Sequence, residues 1–246
     1  MVDNSFDGSE AGTPESVWHA WDRTFPPLDL TPCRELVVVA PHPDDEILGV
    51  GGLMAVASAA GVPVTIVAVT DGGGSHEGSP TLSKEQLIAE RPEESRRALE
   101  KLSVQADPIR LGIGDGAVAD REDDIADALA DIAGSGAWCL TTWRGDRHPD
   151  HEATARACWK VASRTGIRVV EYPVWMWHWA KPDHPDVPWE RARAVALDPH
   201  IQSAKHAAVQ EFRTQIAPLS DHPADRAVLP PHVLDRLLRP YEVVFA

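Results

Sequence analysis

Residues 37–52 read VVVAPHPDDEILGVGG. The opening run is apolar and β-branched, the pattern of a buried strand, and the closing run carries apolar residues and glycines at helical spacing. Between them His42, Pro43, Asp44, Asp45 and Glu46 put three acids and an imidazole directly after the strand. Packing does not ask for this, because clustered carboxylates repel one another and resist desolvation. A chain that sets such a cluster at the mouth of its core needs a counter-charge there, and a metal ion supplies it most economically.

Outward from that stretch the same alternation continues. The apolar runs LVVVA (36–40), VTIVAVT (64–70), PIRLG (108–112), AWCLTT (137–142) and RVVEYPV (168–174) alternate with helical patterns over 47–61, 84–103, 121–134 and 151–166. Strand and helix in turn predict an α/β fold, a three-layer Rossmann-like, mostly parallel sheet with helices on both faces. In open sheets of this kind the ligand crevice lies beyond the carboxyl ends of the strands. The polar motifs do follow strands: HPDDE the first, TDGGGSHEGS (70–79) the second, GDGAVAD (114–120) the third and WRGDRHPDH (143–151) the fourth. Residues 1–30 read as an N-terminal extension, a disordered lead over 1–12 and then a short helix capped by Thr13 with Pro14 in its first position. Residues 31–246 read as one domain.

Composition narrows the function classes. A formal net charge of -15 over 246 residues, with a pI near 5.1, argues against nucleic acid or an anionic membrane as the main partner, since both need a basic face. A small neutral or cationic substrate fits better. The sequence shows neither a membrane span nor the basic and apolar regions of a signal peptide, so a cytoplasmic location without a stable membrane anchor is expected. Cys33, Cys139 and Cys158 have no CxxC spacing and read as reduced thiols.

His42 and Asp45 are three residues apart, and with Pro43 opening a helix their side chains would face one point. An imidazole and a carboxylate are natural zinc donors, but a third protein ligand is needed, with the fourth position left for water. HPDH at 148–151 offers candidates on the same plan of strand, loop, proline and helix. A third His-Pro-Asp, at 184–186, lies within KPDHPDVPW, a proline-rich stretch with no strand before it, and reads as exposed loop. The three letters alone are therefore weak evidence. The pair of strand-fed copies is strong.

VVVAPHPDDEILGVGG with DRHPDH (146–151) resembles the LmbE-like or PIG-L family of zinc-dependent N-deacetylases, which remove acetyl from N-acetylglucosaminyl conjugates. VTDGGGSH (69–76), RPEESRRALEKLSV (91–104), LGIGDG (111–116) and AKHAAVQEFRTQ (204–215) resemble further family segments, with Thr214 where serine is usual. The resemblance implies Zn2+ held by His42, Asp45 and His151, Asp44 as general base on the zinc-bound water, and His148 as the acid that protonates the departing amine or stabilises the tetrahedral intermediate. Asp150 would orient His148. Amide hydrolysis needs those three services, an activated water, a polarised carbonyl and a proton for nitrogen. Where some branches carry an aromatic hydroxyl two residues before the acid histidine, this chain has Asp146, which removes one way of polarising the carbonyl.

Glu46, Asp71, Arg147, Trp175 and Trp177 are the candidate substrate contacts. The two tryptophans belong to YPVWMWHW (172–179), whose rings suit either a sugar face and apolar aglycone or the protein core. Gly72, Gly73 and Gly74 lack the pattern of a phosphate cradle and suit a close backbone approach to substrate or a mobile loop. The expected activity is removal of an N-acetyl or longer N-acyl group from an amino-sugar conjugate such as a glycoside, glycolipid or glycosylated natural product. The alternatives are a metal-dependent hydrolase of another amide or ester, and a metal- or sugar-binding module without turnover. A homo-oligomer stays open.

Overall fold

In the computed structural model, which describes residues 10–134 and 136–246, all five apolar runs form strands within one or two residues of the expected bounds. The lead expected over 1–12 lies, up to residue 9, outside the described residues. The chain runs α1 (Glu15–His19), β1 (Glu35–Ala40), α2 (Asp45–Ala59), β2 (Val64–Thr70), α3 (Lys84–Lys101), β3 (Ile109–Ile113), α4 (Glu122–Ile132), β4 (Ala137–Thr142) and α5 (Pro149–Thr165). It continues as β5 (Arg168–Tyr172), α6 (Met176–Trp179), β6 (Ala192–Ala196), α7 (Pro199–Val209), α8 (Arg213–Ile216), α9 (Pro231–Leu234) and β7 (Tyr241–Phe245).

The strands lie in the order β3-β2-β1-β4-β5-β7-β6. The first five are parallel, while β7 runs antiparallel to both β5 and β6. This mixed edge was not legible in the sequence, where 192–196 and 241–245 lie too far apart to declare themselves as partners. The order reverses between β1 and β4, the switch point where an open α/β sheet leaves its crevice. HPDDE follows one of those strands and HPDH the other.

Alternation along β1 divides the core. Leu36 and Val38 pack with residues of α2 and α3 on one face, and Val37 and Val39 with Ile125, Leu129, Ala157 and Val161 of α4 and α5 on the other. Cys33, Cys139 and Cys158 are buried free thiols. No helix among the described residues is long and apolar enough to cross a membrane.

Two local expectations change. Pro43 precedes the helix instead of opening it, because α2 begins at Asp45 with Asp44 as its cap residue. Thr13 caps nothing: its hydroxyl donates to the Ala180 carbonyl at 2.6 Å, and Pro14 is the residue before the helix. The described part of the extension packs on the aromatic end of the molecule, with Trp18 edge-on to Trp177 at 5.0 Å and Leu28 donating to Ala194 of β6 at 2.9 Å. Helix α2 is kinked at Val50. There the buried Lys205 donates to the Leu48 carbonyl at 2.8 Å, and Glu242 accepts the N–H groups of Gly52 and Leu53 at 2.7 Å each, so backbone groups at the break keep partners.

Candidate metal and catalytic site

The turn out of β1 is strained. Asp44 sits at φ 135°, a region that costs an L residue about 1–3 kcal/mol. Arg91, from the middle of α3, holds it there by donating to the Pro43 carbonyl at 2.9 Å, to Asp44 Oδ2 at 3.0 Å and to the Gly72 carbonyl at 2.8 Å. A Cβ at Gly72 would stand 2.1 Å from Arg91 Nη1, so the glycine loop after β2 is what admits a buried guanidinium to the turn.

The turn sets Asp45 Oδ2 at 3.2 Å from His42 Nδ1 and at 3.2 Å from His151 Nε2. The start of α5 is regular, with His148 in extended backbone at the cap and Pro149 in the first helical position. One turn further in, His151 Nδ1 meets the carboxylate of Asp146 at 2.8 Å. His42, His148 and His151 thereby bring one ring nitrogen each within 4.8 Å of one another. Among the described residues, His148 Nδ1 is buried without a hydrogen-bond partner, and His151 Nε2 is buried with the Asp45 carboxylate beside it as an ion-pair neighbour but makes no hydrogen bond of good geometry. Orphaned imidazole nitrogens beside a carboxylate are costly in a closed core and are completed by a divalent ion. The cluster can coordinate a metal, and its nitrogen and oxygen donors suit zinc.

Electrostatics separates the members. Burial alone would lower the imidazole of His42, but hydrogen bonds to Asp150 and Asp45 push it up to about 9; against the same burial, the charge of Asp45 and then the hydrogen bond to Asp146 take His151 up to about 10. Burial would raise Asp45, yet the charge of His151 first, and then the hydrogen bond and charge of His42, hold it well below the usual carboxylate range. Burial pushes Asp44 up to about 7 against the pull of Arg91, and takes Glu46 to about 8 with help from Asp44. His148 goes the other way, driven well down by burial and then by its charged neighbours His151 and His42.

His42, Asp44, Asp45, His148, Asp150 and His151 all line one cavity of about 420 Å³ at the switch point. Asp150, expected beside His148, makes its hydrogen bonds elsewhere: Oδ2 lies 3.1 Å from His42 Nε2 and accepts from Gly116 N at 2.8 Å. Of the candidate substrate contacts, Trp175 lines this cavity. Trp177 is buried against Trp18, and Glu46 and Asp71 line a separate cleft of about 170 Å³ behind α3, where Asp71 pairs with Arg110 at 2.7 Å. Arg147 stacks 3.7 Å over Trp179 and reaches Asp186 of the third His-Pro-Asp at 3.7 Å. The tryptophan stretch thus serves both the cavity and the core.

Sequence reasoning gave no role to Arg91 or Gln215, although both lie in segments that resemble the family's; Gln215 lines the cavity and donates to Thr214 Oγ1 at 2.9 Å and Ser75 Oγ at 3.3 Å. Arg91 sits in a helix crowded with exposed charges, so nothing in composition singled it out. The Arg-x-x-Glu spacing was the available signal: it puts Arg91 and Glu94 on one helical face, where Glu94 takes both the N–H and the hydroxyl of Thr214.

Residues 37–162, half of the chain, match the family described as PIG-L, GlcNAc-PI de-N-acetylase. A probable N-acetyl-alpha-D-glucosaminyl L-malate deacetylase 2 of Bacillus subtilis is 32% identical over 130 residues, and the matched stretch covers 50% of this chain and 58% of that relative's length. Among solved structures, the A40926 pseudoaglycone deacetylase Dbv21 superposes with a TM-score of 0.60 at 23% identity, covering 86% of this chain and 96% of the other. A conserved protein of Thermus thermophilus gives 0.56 at 28% identity, covering 74% of this chain and 80% of the other.

Proposed function

The chain belongs to the PIG-L family of de-N-acetylases, and from that premise we propose that it is a zinc-dependent hydrolase removing an N-acetyl or longer N-acyl group from an N-acylglucosaminyl conjugate. The observation that carries the reading is the pairing, at one cavity, of a metal-competent imidazole and carboxylate cluster with a separate buried base, Asp44. A binding module needs ligands but no such base. The substrate class is supported by the family and by the acetylglucosaminyl relative.

In this reading His42, Asp45 and His151 hold the metal, which supplies Lewis-acid polarisation of the carbonyl and a lowered pKa for the attacking water. Asp44 takes the water proton as the water oxygen bonds to the carbonyl carbon. A base near neutrality is well matched to take up a proton and give it back. Neutral His148 offers a ring N–H to the carbonyl oxygen as charge gathers there, so its suppressed basicity favours stabilisation over outright proton donation. Cleavage of the carbon–nitrogen bond then uses the proton on Asp44 to release the amine, and the acyl group leaves as carboxylate. Asp150 holds His42, and Trp175 offers its ring to the sugar or aglycone.

Free amine is to be measured from a panel of N-acylated glucosaminides with varied aglycones, using wild type and Asp44→Ala. Wild type should release amine and the variant should lose turnover while keeping its metal. Normal hydrolysis by Asp44→Ala would refute the assignment. A second ligand set, His42, His148 and His151, is favoured by the proximity of the three rings; it predicts loss of metal in His148→Ala, which the first set does not.

A further inference from the structure

Asp146 is fully buried and is used by both halves of the site. Its Oδ2 accepts from His151 Nδ1 at 2.8 Å and from Trp175 N at 2.9 Å. Its Oδ1 accepts from Val174 N at 3.1 Å and Met176 N at 2.8 Å. Its backbone carbonyl takes the indole of Trp179 at 3.2 Å. Three successive backbone N–H groups therefore converge on the same carboxylate that orients an imidazole of the metal cluster.

A carboxylate offers about four acceptor sites and no donor, and four donors occupy them here. An asparagine would turn an NH2 group toward an N–H, and an aromatic hydroxyl has one oxygen to share. The demand is thus specific to Asp, and it explains a position that from sequence alone looked like the loss of a catalytic hydroxyl.

Resting on His151 as a metal ligand, we propose that Asp146 is a positioning residue that couples metal occupancy to the substrate wall: one carboxylate fixes the His151 ring and the 174–176 backbone, setting Val174 and Trp175 against the ligands. Metal bound at His151 tightens the ring, the ring holds the carboxylate, and the carboxylate holds the wall. Outer partners of metal-bound histidines are worth about 10–100-fold in affinity or activity, and here the same partner extends to substrate.

The test is amide hydrogen exchange over 173–177, with and without zinc, in wild type and Asp146→Asn, alongside zinc affinity by chelator competition and KM at saturating zinc. Zinc should slow exchange at 174–176 several-fold in wild type. In Asp146→Asn that response should vanish, zinc affinity should fall about 10–100-fold and KM should rise even when zinc saturates. Identical wild-type exchange with and without zinc would overturn the coupling, whether or not the variant folds. So would a folded Asp146→Asn with wild-type KM and exchange. Failure of the metal assignment is seen separately, as full zinc stoichiometry in His151→Ala.

Discussion

After β1 the chain enters α2 through Asp44 at φ 135°, whereas after β4 it enters α5 through His148 in ordinary extended backbone with Pro149 in the first helical position. Both turns carry His-Pro-Asp, and both deliver side chains to one cavity. Their tasks differ. The first must put Asp44 beside Asp45 without letting the two carboxylates share a site, and a left-handed backbone held by Arg91 sends them to different partners. The second needs only a helix face, because His148 and His151 are one turn apart. Each turn holds one non-glycine residue at positive φ, Arg147 at 62° before His148 and Asp44 at 135°, and the less populated of the two conformations falls on the base itself.

Removing the base should break the comparison most severely. Asp44→Ala is expected to lower turnover about a hundred- to ten-thousand-fold with zinc stoichiometry unchanged, read by amine release and metal analysis. Arg91→Met leaves Asp44 buried without its cation and the strained turn without its clamp. Breaking a buried pair costs about 3–5 kcal/mol, which a denaturant titration would register.

Proton linkage gives the next effect. In the metal-free protein His42 and His151 hold protons up to about pH 9 and 10. Zinc must displace them, so zinc uptake at pH 7 should release protons and affinity should weaken as pH falls from 9 to 6. Calorimetry in buffers of different ionisation enthalpy reads the release. Both pKa values lie above the free value of 6.5, so the stability they lend the metal-free protein is complete below 6.5 and is lost as pH rises through 9 to 10. A zinc affinity independent of pH over that range would contradict the protonated pair.

Smaller effects sharpen the contrast. Pro149→Ala should cost under about 1 kcal/mol by freeing a preset φ, visible as a modest drop in melting temperature. His184→Ala, in the third copy, removes a half-buried ring that packs edge-on to Trp179 at 5.1 Å; it should cost roughly 0.5 kcal/mol and leave turnover intact.

Much of this was written in the sequence. The five parallel strands were legible because β-branched runs between helical patterns have few other uses, and the switch-point position of HPDDE and HPDH followed from the strands before them. The antiparallel edge of β6 and β7 was not, since strands brought together from distant parts of the chain leave no local period. Within the site, residue types named the chemistry but not the pairings. Asp150 went to His42, and Asp146 became a four-donor acceptor, because each depends on where two loops meet. Trp175 and Trp177 are two residues apart and both belong to the core, but Trp175 also lines the cavity.

The most direct measurement is amine release from an N-acetylglucosaminide before chelation, after exhaustive removal of metal, and after zinc is returned. Activity that disappears with the metal and comes back with zinc, in wild type but not in His151→Ala, is the predicted result. Undiminished hydrolysis by the metal-free protein would contradict the assignment of this cluster as a catalytic metal site.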